Sequence, residues 1–358
     1  MSKSVIIVGG GLSGLLCARL LHQAGAEFQL LEMRTRLGGR ILSAAANGEP
    51  DADGFDLGPS WFWPSVQPEL GRLVAELGLT MFPQYAQGDI LFERVRQRPE
   101  RYRVEEQELR SMRLAGGTGA LITALKESLP PERITLGVAV TGLTRMASGV
   151  TVFVARADGG QSSLQADHVI LAAPPRLMAD RIAFEPALAT SDLALWQDTP
   201  TWMAPHAKFF ALYERPFWRD AGLSGSAQSL AGPLGEIHDA TTHSGKAALF
   251  GFSALNAAER RAFSREQIIQ ACEAQLVRLF GPQAGKPEAT LWKDWTQDAG
   301  TATARDLTAG EHPQGQAQNW VSGAWADVLT LAASETAMRE PGYLAGAVEA
   351  ATRAARCY

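Results

Sequence analysis

Cysteine is scarce in this chain of 358 residues, which holds three: Cys17, Cys272 and Cys357. They lie far apart, form no C-x-x-C pair and have no histidine at metal-ligand spacing. Disulfide frameworks, zinc sites and iron–sulfur clusters are therefore excluded as organising chemistry, and a reducing, cytoplasmic compartment is expected. An excess of one charge is also missing, since 33 Lys and Arg stand against 38 Asp and Glu for a net charge of −5. No block of like charge forms a tail, which argues against nucleic acid or a membrane surface as partner. Long apolar runs are absent too. The only candidate for a targeting or membrane segment, the uncharged Ser4 to Ala18, is broken by Gly9, Gly10, Gly11 and Gly14, has no cleavage pattern, and falls short of the roughly 20 residues that span a bilayer. There is no internal repeat, no low-complexity segment and no paired-carboxylate signature.

What is present is an ordinary globular composition, 46% hydrophobic and 20% charged, with a length that suggests about two domains. Ser4 to Val8 is a β-branched run, the glycines follow, and Leu15, Leu16, Ala18, Leu20 and Leu21 then recur at helical spacing up to Gly25. Phe28 to Leu31 is a second apolar run closed by Glu32. Strand, tight turn, helix and strand make one βαβ unit, so an α/β fold with a parallel sheet is expected. Further on, Pro68 to Leu79 reads as a helix and Gly116 to Leu121 opens another. Val138 to Val140, Val150 to Val154 and His168 to Ala172 read as strands of a small sheet, the last stopped by Pro174 and Pro175. The arginine-rich stretch 92 to 113 reads as a solvated hairpin or loop. Lys208 to Tyr213 and Ala247 to Phe252 are strand-like, Ser264 to Phe280 is amphipathic, 310 to 315 is a surface loop, and 343 to 356 is an Ala-rich helix.

Gly9-x-Gly11-x-x-Gly14, placed between strand and helix, lets the backbone approach a pyrophosphate whose charge sits at the helix N-terminus. Glu32 closes the second strand 18 residues after Gly14, where a carboxylate accepts from ribose hydroxyls and repels a 2′-phosphate. NAD or FAD is thereby favoured over their 2′-phosphorylated counterparts. Arg36-x-Gly38-Gly39-Arg40 adds further glycine for close approach and, in Arg40, a charge-assisted donor for the pyrophosphate. That addition points to FAD.

With these residues the sequence resembles the flavin-containing amine oxidases, the monoamine oxidase group. The resemblance rests on Leu31 to Arg40, on Phe55-Asp-Leu-Gly-Pro-Ser-Trp61, on Gly116-Gly-Thr-Gly119 and on Asp167 to Pro175. It continues through Ala207 to Trp218 and through Ser334-Glu-Thr-Ala337 followed by Gly342 to Ala350. It implies a Rossmann-like FAD-binding fold built from 1–84, 115–197 and 297–358, interleaved with an α+β substrate domain from 85–114 and 198–296. FAD would be held by Gly9, Gly11, Leu12, Ser13 and Gly14, by Glu32, Arg34, Gly39 and Arg40, and by Gly58 and Trp61. Trp295, Ser334 and the backbone of Leu344 would join them, with the main chain of Val140 at the adenine end.

By the same resemblance, Lys208 would hold a water near flavin N5 and Tyr343 would form one aromatic wall beside the substrate amine. Charge developing at N1 and C2=O on reduction would meet the N-terminal end of the helix that begins near Tyr343. The sequence departs from the pattern in several places. No aromatic residue occurs in Gln297 to Asp306, so the second wall is missing or comes from elsewhere, with Trp320 and Trp325 as candidates. No cysteine occurs in 296–306 and Cys357 reads as a helix-end cysteine, so noncovalent FAD is expected, and a C-terminal membrane tail is not expected. Pro59 stands where a glycine is common, and a short 85–114 insertion implies an open site. His168 and His206 lack a partner at nucleophile or base spacing and read as structural.

The implied reaction is hydride transfer from the α-carbon of a neutral amine to flavin N5, with dioxygen reoxidising the flavin to give hydrogen peroxide. Rivals are a flavin desaturase or heterocycle oxidase on the same scaffold, a non-catalytic FAD-binding protein, and a plain NAD dehydrogenase. A homodimer is the default assembly.

Overall fold

The computed structural model describes residues 3–96, 99–103, 109–308, 311–315, 319–356 and 358. Cys357 and parts of the 92–113 and 310–315 stretches lie outside the described residues.

Five strands form a wholly parallel sheet in the order Leu329–Leu331, His168–Leu171, Ser4–Val8, Glu27–Glu32, Ile134–Leu136. Its strands are apolar on both faces because both are covered. Val5 and Ile7 point into one core with the helices Leu12–Gln23 and Leu344–Ala355, while Ile6 and Val8 point into a second core with Val152, Trp196 and Trp325. Leu30 and Leu31 divide between the same two cores, as do Ile170 and Val169. This corrects one expectation. Val138–Arg145 and Val150–Arg156 do join a small four-stranded sheet, but His168–Leu171 belongs to the parallel sheet. The reason is its burial on both faces, which an edge of a solvated sheet does not require.

The second large sheet has seven strands, ordered Ala289–Asp294, Ala207–Tyr213, Ala247–Ser253, Leu234–Asp239, Leu223–Ser229, Asp89–Glu93, Glu100–Arg103. Alternation along Ala207–Tyr213 separates two functions. Phe209, Ala211 and Tyr213 pack with Ile268, Cys272 and Leu276 of the helix Arg265–Phe280, which Ser264 and Gln267 cap reciprocally. Phe210 and Leu212 pack on the opposite face with Phe55 and Leu57, and Lys208 shares that face by parity.

Candidate active site

A cavity of about 560 Å³ runs between the two sheets, from Glu32 at one end past Gly39 and Arg40 to Lys208 and Tyr343 at the other. At its first end the chain turns from Ser4–Val8 into the helix Leu12–Gln23. A Cβ on Gly14 would lie 1.9 Å from the Gly9 carbonyl oxygen, so no larger residue fits there. Gly11 caps the helix without a side-chain acceptor, and no acidic residue occupies the first turn. The leading N–H groups, with Leu12 and Ser13 lining the cavity, are thus available to an anion. The Glu32 carboxylate is buried and oriented by the backbone N–H of Gly10 at 2.7 Å and of Arg34 at 2.8 Å.

The middle of the cavity is tied together by ion pairs. Arg40 forms a bidentate pair with the buried Glu335, and donates to Ser334 Oγ at 3.0 Å and to the Trp202 carbonyl at 3.1 Å. The guanidinium expected to contact a pyrophosphate therefore also fastens the first dinucleotide segment to the C-terminal one. Arg34 pairs with Asp298 and donates to Thr301 Oγ1 at 3.0 Å. Burial pushes the Asp298 carboxyl upward, but Arg34 and Lys293 outweigh it and hold the group at about 2.

At the far end Lys208 is 2% exposed. Its Nζ lies 2.5 Å from the Gly58 carbonyl, 3.2 Å from the Asp56 carbonyl and 3.1 Å from Ser60 Oγ, with the rings of Phe250 and Phe252 at 4.7 and 5.0 Å. Burial drives its pKa down to about 7, with nearby Asp56 pulling up and Arg113 pushing down. Two carbonyls accept both N–H groups of the neutral amine, and the Ser60 hydroxyl serves as donor or acceptor, so the nest suits either charge state. The loop that supplies these oxygens is locked from behind. Asp56 Oδ1 accepts from Ser43 Oγ, Thr118 N and Thr118 Oγ1, Trp295 Nε1 donates to the Leu57 carbonyl at 3.0 Å, and a Cβ on Gly58 would lie 1.9 Å from the Arg40 carbonyl oxygen.

Of the residues expected in the site, Gly9, Gly11, Leu12, Ser13, Glu32, Arg34, Gly39, Arg40, Gly58, Trp61, Lys208, Trp295, Ser334, Tyr343 and Leu344 all line this one cavity. Gly14 and Val140 do not. Gly14 acts behind the surface through helix packing, and Val140 is buried in the core between the parallel and four-stranded sheets. Neither Trp320 nor Trp325 forms a second wall. Trp325 is buried in that same core, its Nε1 donating to the Pro186 carbonyl, and Trp320 packs against it. The rings that flank Tyr343 are His312, 4.9 Å away, and Trp202, 6.0 Å away. Trp202 arrives on the turn before the Lys208 strand, a placement with no local sequence signal; Trp63, Met203, Glu236 and Phe252 line the cavity with equally little warning.

His168 bonds Thr330 Oγ1 at 2.8 Å, and burial lowers its pKa to about 4; burial lowers His206 as well. Cys17 and Cys272 are buried thiols pushed upward in pKa by burial, so neither is a ready nucleophile. Among the described residues no group of three ligating side chains is placed to hold a metal, and no helix is long and apolar enough to cross a membrane.

Comparison with known proteins agrees with this geometry. The family described as flavin containing amine oxidoreductase matches residues 98–357, and that of the NAD(P)-binding Rossmann-like domain matches residues 7–77. The chain is 25% identical to a probable flavin-containing monoamine oxidase A of Dictyostelium discoideum, over 98% of this chain and 96% of the relative. That alignment spans 466 positions, more than this chain's 358 residues, so the relative carries insertions. A putrescine oxidase of Kocuria rosea is 37% identical over 26% of this chain and 18% of its own length. Among solved structures, cyclohexylamine oxidase from Brevibacterium oxydans IH-35A shares the fold with a TM-score of 0.81 and 22% identity, covering 100% of this chain and 98% of that one.

Proposed function

The chain belongs to the flavin-containing amine oxidoreductase family, and from that premise we propose that it binds FAD noncovalently and oxidises an amine at the carbon bearing the nitrogen, with dioxygen as final acceptor. The observation that carries the reading is Lys208, a buried amine with a pKa brought down to about 7, at the opposite end of the cavity from a glycine turn and Glu32. The fit to FAD is supported by the tight turn in which a Cβ on Gly9 or Gly14 would strike a backbone carbonyl, by Gly11 facing the cavity with no side chain, by helix N–H donors that no side chain caps, and by the oriented Glu32 carboxylate. When bound, the flavin supplies the hydride acceptor and the reoxidation chemistry.

The protein's own part is positioning and electrostatics. Glu32 would take the ribose hydroxyls, and Leu12, Ser13 and the guanidinium of Arg40, which line the same cavity, would hold the phosphates. The helix Leu344–Ala355, whose first turn holds no acidic residue, would offer its positive end to the charge that develops on a bound flavin. Trp61, Phe252 and Tyr343 exclude water from the reacting carbon, and Lys208 Nζ holds or releases a proton in the neutral pH range. The amine leaves as an imine, which water hydrolyses, and two electrons with two protons reduce dioxygen to hydrogen peroxide. The protein is taken as cytoplasmic on its scattered thiols, and as a homodimer by default.

Anaerobic titration of the purified holoprotein with aryl-alkyl amines, diamines and amino acids tests the proposal. Bleaching of the oxidised flavin band by an amine, with recovery and peroxide on admitting air, is expected. Bound flavin that no amine bleaches would favour a desaturase or heterocycle oxidase, consistent with the aromatic-free stretch 297–306.

A further inference from the structure

The loop that cradles Lys208 carries a buried carboxylate that the lysine does not touch. Lys208 Nζ bonds the main-chain carbonyl of Asp56, not its side chain. Asp56 Oδ1 accepts from neutral donors on Ser43 and Thr118, while Oδ2 is buried without a hydrogen-bond partner among the described residues. A buried carboxylate with one oxygen to spare is a ready counter-ion for an ammonium close by, and an Asp56–Lys208 ion pair would hold the lysine protonated.

A second buried cation competes for that role. Arg113 is 5% exposed and lies on the short strand Met112–Leu114, directly opposite Phe82 of Met81–Pro83. Its guanidinium donates to the Thr241 carbonyl at 2.8 Å and to the Ala240 carbonyl at 3.3 Å, and its Cζ lies 5.3 Å from the centre of the Phe82 ring. These partners fix the group in place but are all neutral, and among the described residues no carboxylate forms an ion pair with it. The carboxylates that attract it at longer range are Asp56 and Asp239. Asp239 already has a cation of its own: it is fully buried, pairs with Arg219 at 2.8 Å, and accepts from Trp218 Nε1 and Thr241 N. Asp56 is thereby left as the counter-charge of Arg113.

Two carboxylates, Asp56 and Asp239, thus balance two guanidiniums, Arg113 and Arg219, and a proton on Lys208 is the odd charge. Guanidinium groups keep their protons, so the lysine is the member that gives one up. In keeping with this, Asp56 draws the Lys208 pKa upward and Arg113 drives it downward. The other charged groups around Lys208 are engaged or remote. Lys293, its register partner on one side, pairs with Asp298. On the other side Glu236 lies in the same row, one strand beyond Phe252, with its side chain 58% exposed, and His238 packs against Phe250.

We propose that Arg113 is a positioning residue that keeps Lys208 neutral in the working enzyme, by engaging the Asp56 carboxylate that would otherwise become the lysine's counter-ion. This rests on the amine-oxidising reading of the site, in which Lys208 Nζ takes up and releases a proton.

The test follows the lysine itself. The chain has six lysines, so holoprotein labelled with 13C and 15N in lysine gives few side-chain resonances, and Lys208→Met identifies the one that belongs to Lys208. That resonance is titrated with pH in the oxidised holoprotein without any amine, and the pH profile of anaerobic flavin reduction by an amine is recorded beside it. In the wild type both show a transition near pH 7. Arg113→Gln moves both upward by about one pH unit or more, because Asp56 is released to the lysine. Asp56→Asn moves the resonance transition downward, and the double variant Asp56→Asn/Arg113→Gln returns it toward the wild-type position. A substitution that merely loosened the loop would not shift the two single variants in opposite directions. Should Arg113→Gln fail to fold, the double variant compared with Asp56→Asn reads the same contribution, and the double must titrate higher. A transition that stays in place when Arg113 is replaced, in either background, overturns the proposal, as does a wild-type Lys208 that titrates at the ordinary lysine value. A shifted resonance without bleaching by any amine supports the charge arrangement while removing the oxidase reading. Bleaching with an unmoved resonance does the reverse.

Discussion

The two ends of the cavity are built by different means. At the adenosine end the groups that face the ligand are largely backbone: a glycine turn, free N–H groups of a helix, and one carboxylate held by two amides. At the redox end they are side chains from distant strands, Lys208, Phe252, Glu236, Trp61 and Tyr343, brought together by sheet register and by loops. Backbone recognition demands a fixed local spacing of small residues, because a Cβ within 2 Å of a carbonyl cannot be accommodated. Side-chain recognition makes such demands only where a loop packs closely behind it, as at Gly58 and Gly342. The first end is intolerant of change in a handful of positions; the second is free to vary its chemistry on a constant frame.

Substitutions at each end sharpen that contrast. The largest effect belongs to Gly14→Val, which forces side-chain atoms into the Gly9 carbonyl. A loss of more than about 4 kcal/mol is expected, with no retained flavin, read by thermal melting and by the protein's absorbance. Retained yellow colour and an unchanged melting temperature would show that the turn relaxes and that the two ends are equally tolerant.

Arg40→Met comes next. It leaves the Glu335 carboxylate buried without its partner, at a cost of about 3 kcal/mol in denaturant unfolding. Pairing it with Glu335→Leu should recover much of that loss, which separates the fastening role of the pair from any contact with the cofactor.

Lys208→Met probes the other end through pH. The folded-state pKa of about 7 lies below the ordinary lysine value of 10.5. Between those values the unfolded chain holds a proton that the folded chain does not, so stability rises with pH through that window. Below pH 7 both states are protonated and the full penalty for the buried charge is present. Wild-type unfolding free energy should therefore climb from pH 7 toward 10.5 with a slope of up to about 1.4 kcal/mol per pH unit, and the variant should lose that contribution. The variant should also lack the inflection near pH 7 in the rate of flavin reduction, which should fall by at least about tenfold. A wild-type slope that survives the substitution would remove Lys208 as its source.

The smallest effect separates the tryptophans. Trp202→Ala, beside Tyr343, should raise KM for an amine about fivefold, whereas Trp320→Ala, in a separate core, should leave KM within about twofold. Equal effects would return Trp320 to the site.

How much of this was legible in the sequence varies with the range of the interaction. The βαβ unit, the glycine turn and Glu32 were readable because a single stretch of chain encodes strand, turn, helix and ribose acceptor. Lys208 was readable only through the family resemblance, and its neighbours were not readable at all, since Asp56, Gly58 and Ser60 approach it from about 150 residues away in sequence. The second wall is hidden from the sequence for the same reason. Trp320 and Trp325 are near Tyr343 in sequence but pack into another core, while Trp202 reaches Tyr343 across 141 positions because Gly342 leaves room for its ring.

The sequence by itself determined that a dinucleotide is held at a helix N-terminus next to a carboxylate, because local backbone geometry and residue size suffice for that. Through the family resemblance it also pointed to Lys208 at the active site, while the strand alone left its burial open. Only the tertiary structure decided which aromatic rings meet Tyr343, that Arg40 joins the two ends of the chain through Glu335, and that Glu236 shares a row with Lys208. Strand register and loop placement emerge from the packing of the whole sheet, where a shift of one residue would turn Glu236 to the opposite face.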